Sequence, residues 1–205
     1  MAVGVTTHIA AEHKGTNPDA IIAWFRKLDK LFPSRSIEES NVTKLISLKD
    51  ETDHDYYTED NIVEPSGGSY VEYVDEDSVN LYSTYEPPWN TVDFVAEQIA
   101  KVSEHTIIVV YYDCDFIKHG VRIYDGEVCD TDDDAYEWTH EDIFKLVKSE
   151  HNIDVDGDFL EIEDQLLEGT IIDDYDDKYW AALHAAREKF THEAVATIKN
   201  GHDDG

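Results

Sequence analysis

Negative charge is spread so unevenly along this chain that it limits what the chain can fold into. Residues 1–50 hold 7 Lys/Arg against 6 Asp/Glu, whereas residues 51–205 hold 9 against 41. The segments 51–77 and 149–177 contain no Lys or Arg. Like charges at that density repel one another and oppose compaction. Any fold must therefore keep nearly all of them at its surface and bury enough apolar area to overcome the repulsion. Low hydrophobicity with high net charge is also a signature of disorder. Here hydrophobic residues make up 41% of the chain and aromatics 11%, including 12 Tyr and 4 Trp, so the chain is expected to fold.

At 205 residues there is room for one large domain, or for a domain of about 130 residues with an appendage. Two cysteines, Cys114 and Cys129, are too few for a disulfide framework and fit a reducing cytoplasm. Neither a charged-then-apolar leader nor a long apolar run is present, so neither a signal peptide nor a membrane span is expected. An acidic surface disfavours direct contact with nucleic acid or anionic lipid, and partners should be basic.

The β-branched run from Val3 to Ala10 predicts a first strand. Asn17 with Pro18 behind it reads as the cap and first position of a helix, whose apolar stripe of Ile21, Ile22, Trp24, Phe25, Leu28 and Leu31 continues until Pro33. Val42–Leu48 has the composition of a second strand. The acidic stretch 49–68, ending in Pro65-Ser-Gly-Gly68, reads as an exposed loop. Ser69–Val74 and Ser78–Tyr85 predict two strands, and Trp89–Ser103 a helix. Thr106–Tyr112, with four consecutive Ile/Val, predicts a central strand, and Gly120–Tyr124 its partner. After Cys129 the pattern turns helical. Thr139 and Asp142 resemble a capping box, a short helix is expected over Phe159–Leu167, and a long one over Asp174–Lys199. This order predicts an α+β sheet domain over 1–129, followed by an acidic, all-helical extension over 130–205 packed on it.

Tyr85-Glu-Pro-Pro88 leads from a strand into an amphipathic helix, and Gly120-Val-Arg-Ile-Tyr124 closes the predicted sheet. In these elements, over roughly residues 1–128, the chain resembles the YubB-like ferredoxin-fold proteins of phages and plasmids. The resemblance implies a ferredoxin-like antiparallel sheet with two helices and a mobile-element origin. It carries no assigned activity and transfers no catalytic residue.

The candidate chemical motifs are sparse. Asp154, Asp156 and Asp158 have the spacing of the first calcium-loop ligands, but Phe159 and Gln165 stand where the loop needs Gly and Glu. His184, Glu188 and His192 share a helix face that could hold a transition metal, although a solvated polar face explains the same spacing. Asp113 and Asp115 beside Cys114 would raise a thiol pKa rather than activate the group. No metal, cofactor or catalytic residue is expected.

The acidic clusters differ in kind because several separate segments share them. Candidate partner-binding acids are Asp130, Asp132, Asp133 and Asp134; Asp154, Asp156 and Asp158; Glu161, Glu163 and Asp164; and Asp173, Asp174, Asp176 and Asp177. Trp138, Tyr175 and Trp180 lie among them as candidate aromatic anchors. Carboxylates two apart on a strand lie about 6.6 Å from each other, and those four apart on a helix about 6 Å. A nucleic-acid strand offers a charge every ~3.4 Å along the duplex axis, so a folded acidic surface can approximate a phosphate track.

The expectation is a cytoplasmic, phage- or mobile-element-encoded inhibitor. It would act as a DNA mimic in the basic groove of a host nucleic-acid-binding protein, such as a defence nuclease or restriction complex. Alternatives are an adaptor acting on host machinery without mimicry, or an enzyme with a cleft near Tyr85, Tyr112 and His119. Salt adaptation, a further account of the charge, predicts evenly spread acidity and few large aliphatics. The balanced first 50 residues and 17 Ile weigh against it. The oligomeric state is left open, a dimer included.

Overall fold

A computed structural model of the chain describes residues 4–32, 41–63, 69–114, 118–126, 135–150 and 173–203. In chain order the elements are β1 (Gly4–Lys14), α1 (Pro18–Leu31), a 3₁₀ helix (Val42–Leu48), α2 (Glu59–Val63), β2 (Tyr70–Val74), β3 (Ser78–Thr84), α3 (Trp89–Val102), β4 (Thr106–Cys114), β5 (Lys118–Asp125), β6 (Ala135–Thr139), α4 (His140–Glu150) and α5 (Asp173–Asp203). The strands form one open antiparallel sheet in the order β2-β3-β1-β4-β5-β6. The fold is mixed α+β.

β4 shows why the sheet has two apolar faces. Ile107, Ile108, Val109 and Val110 are all buried, because alternate side chains of a strand point to opposite faces and both faces here are covered. Ile108 and Val110 pack with Ile9, Leu81 and the apolar stripes of α1 and α3, notably Phe25, Leu28, Phe94 and Ile99. This is the first face. Ile107 and Val109 pack with Val121, Ile123 and Trp138 against Ile143 and Val147 of α4 and Tyr179 and Leu183 of α5. This is the second face.

Local signals set several boundaries. Asn17 Oδ1 accepts the Ala20 N–H at 3.3 Å, and Pro18 opens α1. Asp142 accepts from the Thr139 N–H and hydroxyl at 2.9 and 2.7 Å, while the Asp142 N–H donates back to Thr139 Oγ1 at 3.2 Å. The capping box therefore forms, with Asp doing the work usually given to Glu.

Three expectations are corrected. Val42–Leu48 is a 3₁₀ helix and not a strand: Val42 and Leu45, three apart, are its buried residues, which matches a three-residue turn and not a two-residue alternation. The acidic stretch after it is not a plain exposed loop. It contains α2, buries Tyr57 and Ile62, and encloses the carboxylate of Asp53 (0% side-chain exposure) against Lys101. The segment after Cys129 is not wholly helical either, since β6 pairs with β5 from Lys118↔Thr139 to Arg122↔Ala135. The helix expected over Phe159–Leu167 and the turn at Pro65–Gly68 lie outside the described residues. Among the described residues, no helix is long and apolar enough to cross a membrane.

Candidate functional site

Most of the acids singled out from sequence, Asp130 to Asp134 and Asp154 to Asp164, lie outside the described residues. Asp173, Asp174, Tyr175 and Asp176 fall on the first turn of α5, and Asp177, next on the same helix, is exposed. The two tryptophans are placed less openly than an aromatic anchor requires. Trp138, 7% exposed, belongs to the second-face core and meets Phe190 edge-on at 6.1 Å. Trp180 is partly buried, with its ring 5.8 Å from His119. Burial in the core leaves Trp138 little surface to offer a partner.

The cations of the described residues are largely occupied within the chain. Lys101 reaches Asp53, Glu97 at 3.1 Å and Asp50 at 3.9 Å. Lys14 meets Asp77 at 2.8 Å, Lys118 meets Glu137 at 2.9 Å, and Lys145 meets Glu141 at 2.8 Å. Arg122 stacks its guanidinium 3.6 Å from the centre of the Trp89 ring. Exposed acids such as Glu51, Asp55, Asp75 and Glu104 have few cations to balance them.

A polar cluster that the sequence did not reveal lies at the end of β4 on the second face. Asp113 and His119 are opposed in the β4–β5 register, with His119 Nδ1 2.6 Å from Asp113 Oδ1. The ionised carboxylate accepts this bond, so Nδ1 carries a proton, and Nε2 lies 2.7 Å from the Tyr179 hydroxyl. Arg187 of α5 donates through Nη2 to the same Asp113 Oδ1 and to the Tyr112 carbonyl. His119 is 1% exposed and stacks on His140 with ring centres 5.9 Å apart. Burial works against the charge of Asp113, but the bond from His119 and the Arg187 guanidinium outweigh it and hold the carboxyl below its ordinary value. Burial, helped by His119, pushes His140 down to about 4, so its ring is neutral near pH 7.

This cluster backs onto a cleft of about 450 Å³ between α5 and the second face of the β2-β3-β1-β4 half of the sheet. The size suits a small molecule. β1 contributes His8 to the wall, β2 Tyr73 and β3 Asn80. β4 contributes Tyr111 and Asp113, and α5 adds His184, Arg187 and Glu188. His8 Nδ1 lies 2.6 Å from Asn80 Oδ1, its cross-strand partner, which fixes the imidazole's orientation.

The site expected for an enzyme does not form as expected. Tyr112 and Cys114 pack with Val5 and Trp89, while His119 points to the other face of the sheet. Cys114 and His119 thus lie on opposite faces, and Tyr112 does not converge with His119. Tyr85, 63% exposed with φ +74°, sits at the turn after β3. Of the helix-face trio His184, Glu188 and His192, the first two line the cleft and all three are exposed. Among the described residues no three His, Cys, Asp or Glu are grouped to hold a metal ion. Arg187 was the residue missed. Its neighbours in sequence are unremarkable, and its partner Asp113 lies 74 positions away. No family model, curated protein or solved structure matches the chain.

Proposed function

We propose that this chain is an acidic inhibitor that acts as a nucleic-acid mimic, occupying the basic groove of a nucleic-acid-binding protein. The observation that carries the reading is the charge imbalance: 41 Asp/Glu against 9 Lys/Arg after residue 50. Lys14, Arg26, Lys101, Lys118, Lys145 and Arg187 each lie within 4.0 Å of a carboxylate of their own chain, so they do little to mask the remaining acids from a partner. Long-range attraction would speed encounter with a basic groove, and Asp and Glu would pair there with the Lys and Arg that otherwise hold phosphate.

The strand order β2-β3-β1-β4, with a helix in each crossover, supports a ferredoxin-like reading of residues up to about 129, to which β5 and β6 add. On this reading the sheet is scaffold. The acidic residues of 130–177, with the 49–68 stretch, form the contact surface. A phage or plasmid origin, action in a host cytoplasm and a defence nuclease or restriction complex as target belong to the same proposal.

The test is affinity capture from a bacterial lysate at low salt, followed by elution with duplex DNA. The expected result is recovery of a nucleic-acid-binding protein that DNA displaces and that salt releases steeply. Binding indifferent to both salt and DNA would overturn the proposal.

A further inference from the structure

We propose that the cleft between α5 and the second face of the sheet binds a small organic cation through its ammonium or guanidinium group. The argument rests on which polar atoms of the wall are already used. Arg187, the one permanently cationic group there, turns inward: Nη2 serves the Tyr112 carbonyl and Asp113 Oδ1, and Nε is enclosed without a hydrogen-bond partner. Its side chain is 9% exposed, so it offers an anion little.

The acceptors point the other way. Both bonds to Asp113, from His119 and from Arg187, land on Oδ1. The carboxylate is nonetheless 34% exposed, and it lines the cleft, so Oδ2 is the oxygen left to face a ligand. Glu188 adds a second carboxylate from α5, and its side chain is exposed. His8 Nδ1 is engaged with Asn80 Oδ1 at 2.6 Å, which leaves Nε2 as the ring nitrogen without a partner in the sheet. Tyr73 adds an aromatic ring, whose face attracts cations, while Tyr111 already stacks on His8 and carries the Arg187 guanidinium 5.6 Å from its centre.

Two carboxylates face the cleft while its guanidinium is spent on acceptors of its own chain, so the charge the wall has left to offer is negative. Ammonium and guanidinium groups are donors only, which makes them its chemical complement. The negative field of the whole chain would also concentrate cations at the cleft. The site is independent of any protein partner.

Because a chain of net charge −31 attracts cations everywhere, the test must separate a built site from a diffuse atmosphere. Agmatine, which carries a guanidinium and an amine, is titrated at constant ionic strength. Binding is followed by calorimetry and by the NMR signals of Tyr73, Tyr111 and His8. The expected result is one saturable equivalent, with shifts at those three residues. Glu188→Gln should weaken binding about threefold, as for an exposed pair. Asp113→Asn should weaken it about tenfold or more. Glu76→Gln, on the exposed turn before β3, should leave it unchanged. Since Asp113→Asn also disturbs Arg187 and His119, Glu188→Gln is the decisive variant. Non-saturating binding, equal weakening by Glu188→Gln and Glu76→Gln, or tighter binding of acetate than of agmatine at the same signals would each overturn the proposal.

Discussion

The phenol ring of Tyr112 fills the space where a side chain at Gly120 would stand. A Cβ placed on Gly120 would lie 2.1 Å from Tyr112 Cζ, so the absence of a side chain on β5 lets the ring cross to β6, where its hydroxyl donates to Glu137. Burial and the Glu137 charge both push the phenol well above its ordinary value, and it stays a donor throughout the accessible pH range. Gly120→Ala should destabilise the fold by about 2–3 kcal/mol, in the range of overpacked cores. Tyr112→Leu should relieve the clash, so the double variant should lose less than the sum of the single ones. Urea denaturation of the four chains measures this. Additive losses would show that the ring and the glycine are not coupled.

Lys101 supports a carboxylate far from it in sequence. Asp53 is wholly enclosed and takes bonds from Lys101 and from Gln98 Nε2, the latter at 2.5 Å. Burial raises the cost of its charge, but Lys101, the Asp50 N–H and Gln98 together more than offset it, leaving the carboxyl below its ordinary value. Lys101→Met would strand the charge and should cost about 3 kcal/mol, because an unpaired buried ion is penalised more than a lost surface pair. Asp53→Asn should cost less, since an amide can still accept from Lys101. If thermal melts show Lys101→Met to be milder than Asp53→Asn, the pair does not hold the 49–63 segment in place.

His140 should make stability depend on pH in a defined window. Its folded-state value lies at about 4, below the ordinary 6.5, because burial and His119 disfavour the charged ring. Above about pH 6.5 both folded and unfolded chains carry a neutral ring, and the full stability is present. As pH falls from there towards 4, the unfolded state takes up a proton that the folded state refuses. Stability then declines, by about 3 kcal/mol in all. Relief of acidic repulsion acts in the opposite direction over the same range, so the informative quantity is the difference from His140→Phe. That variant should keep the aromatic packing against Tyr179 and show a shallower decline between pH 6.5 and 4. Parallel profiles for the two chains would contradict the assignment.

What could be read from the sequence was what neighbouring residues decide among themselves. Asn17 before Pro18, Thr139 before Asp142 and the run Ile107–Val110 each carry their structural instruction within a few positions, and each is seen in the fold. The errors came where a distant residue changes the meaning of a near one. Residues 49–63 read as exposed because they are acidic, yet Lys101 lets Asp53 be buried and Tyr57 and Ile62 join the core. Trp138 read as an aromatic anchor among acids, whereas the alternation of Tyr136 and Trp138 belongs to β6, with Trp138 turned into the core. The strand expected at Val42–Leu48 came from composition, although the spacing of Val42 and Leu45 already favoured a three-residue turn. Asp113, His119, Tyr179 and Arg187 come from β4, β5 and α5, and only the folded chain brings them together.

Salt should affect the stability of this chain and its binding to a basic partner in opposite directions. With 41 acids against 9 bases after residue 50, repulsion among surface carboxylates opposes folding, and it is screened over about 10 Å at 0.1 M salt. Among the described residues, the ion pairs that salt also weakens are fewer. Those at Asp53 and Asp113 are shielded by burial, and exposed ones such as Lys145–Glu141 contribute little. Raising NaCl from about 20 mM to 500 mM should therefore raise the melting temperature by several degrees, on the order of 1–2 kcal/mol, while weakening any complex made through the acidic surface. A melting temperature that falls with salt would mean that internal ion pairs outweigh the repulsion, and that the exposed acids are already compensated within the chain. The charge argument for a basic partner would then lose its footing.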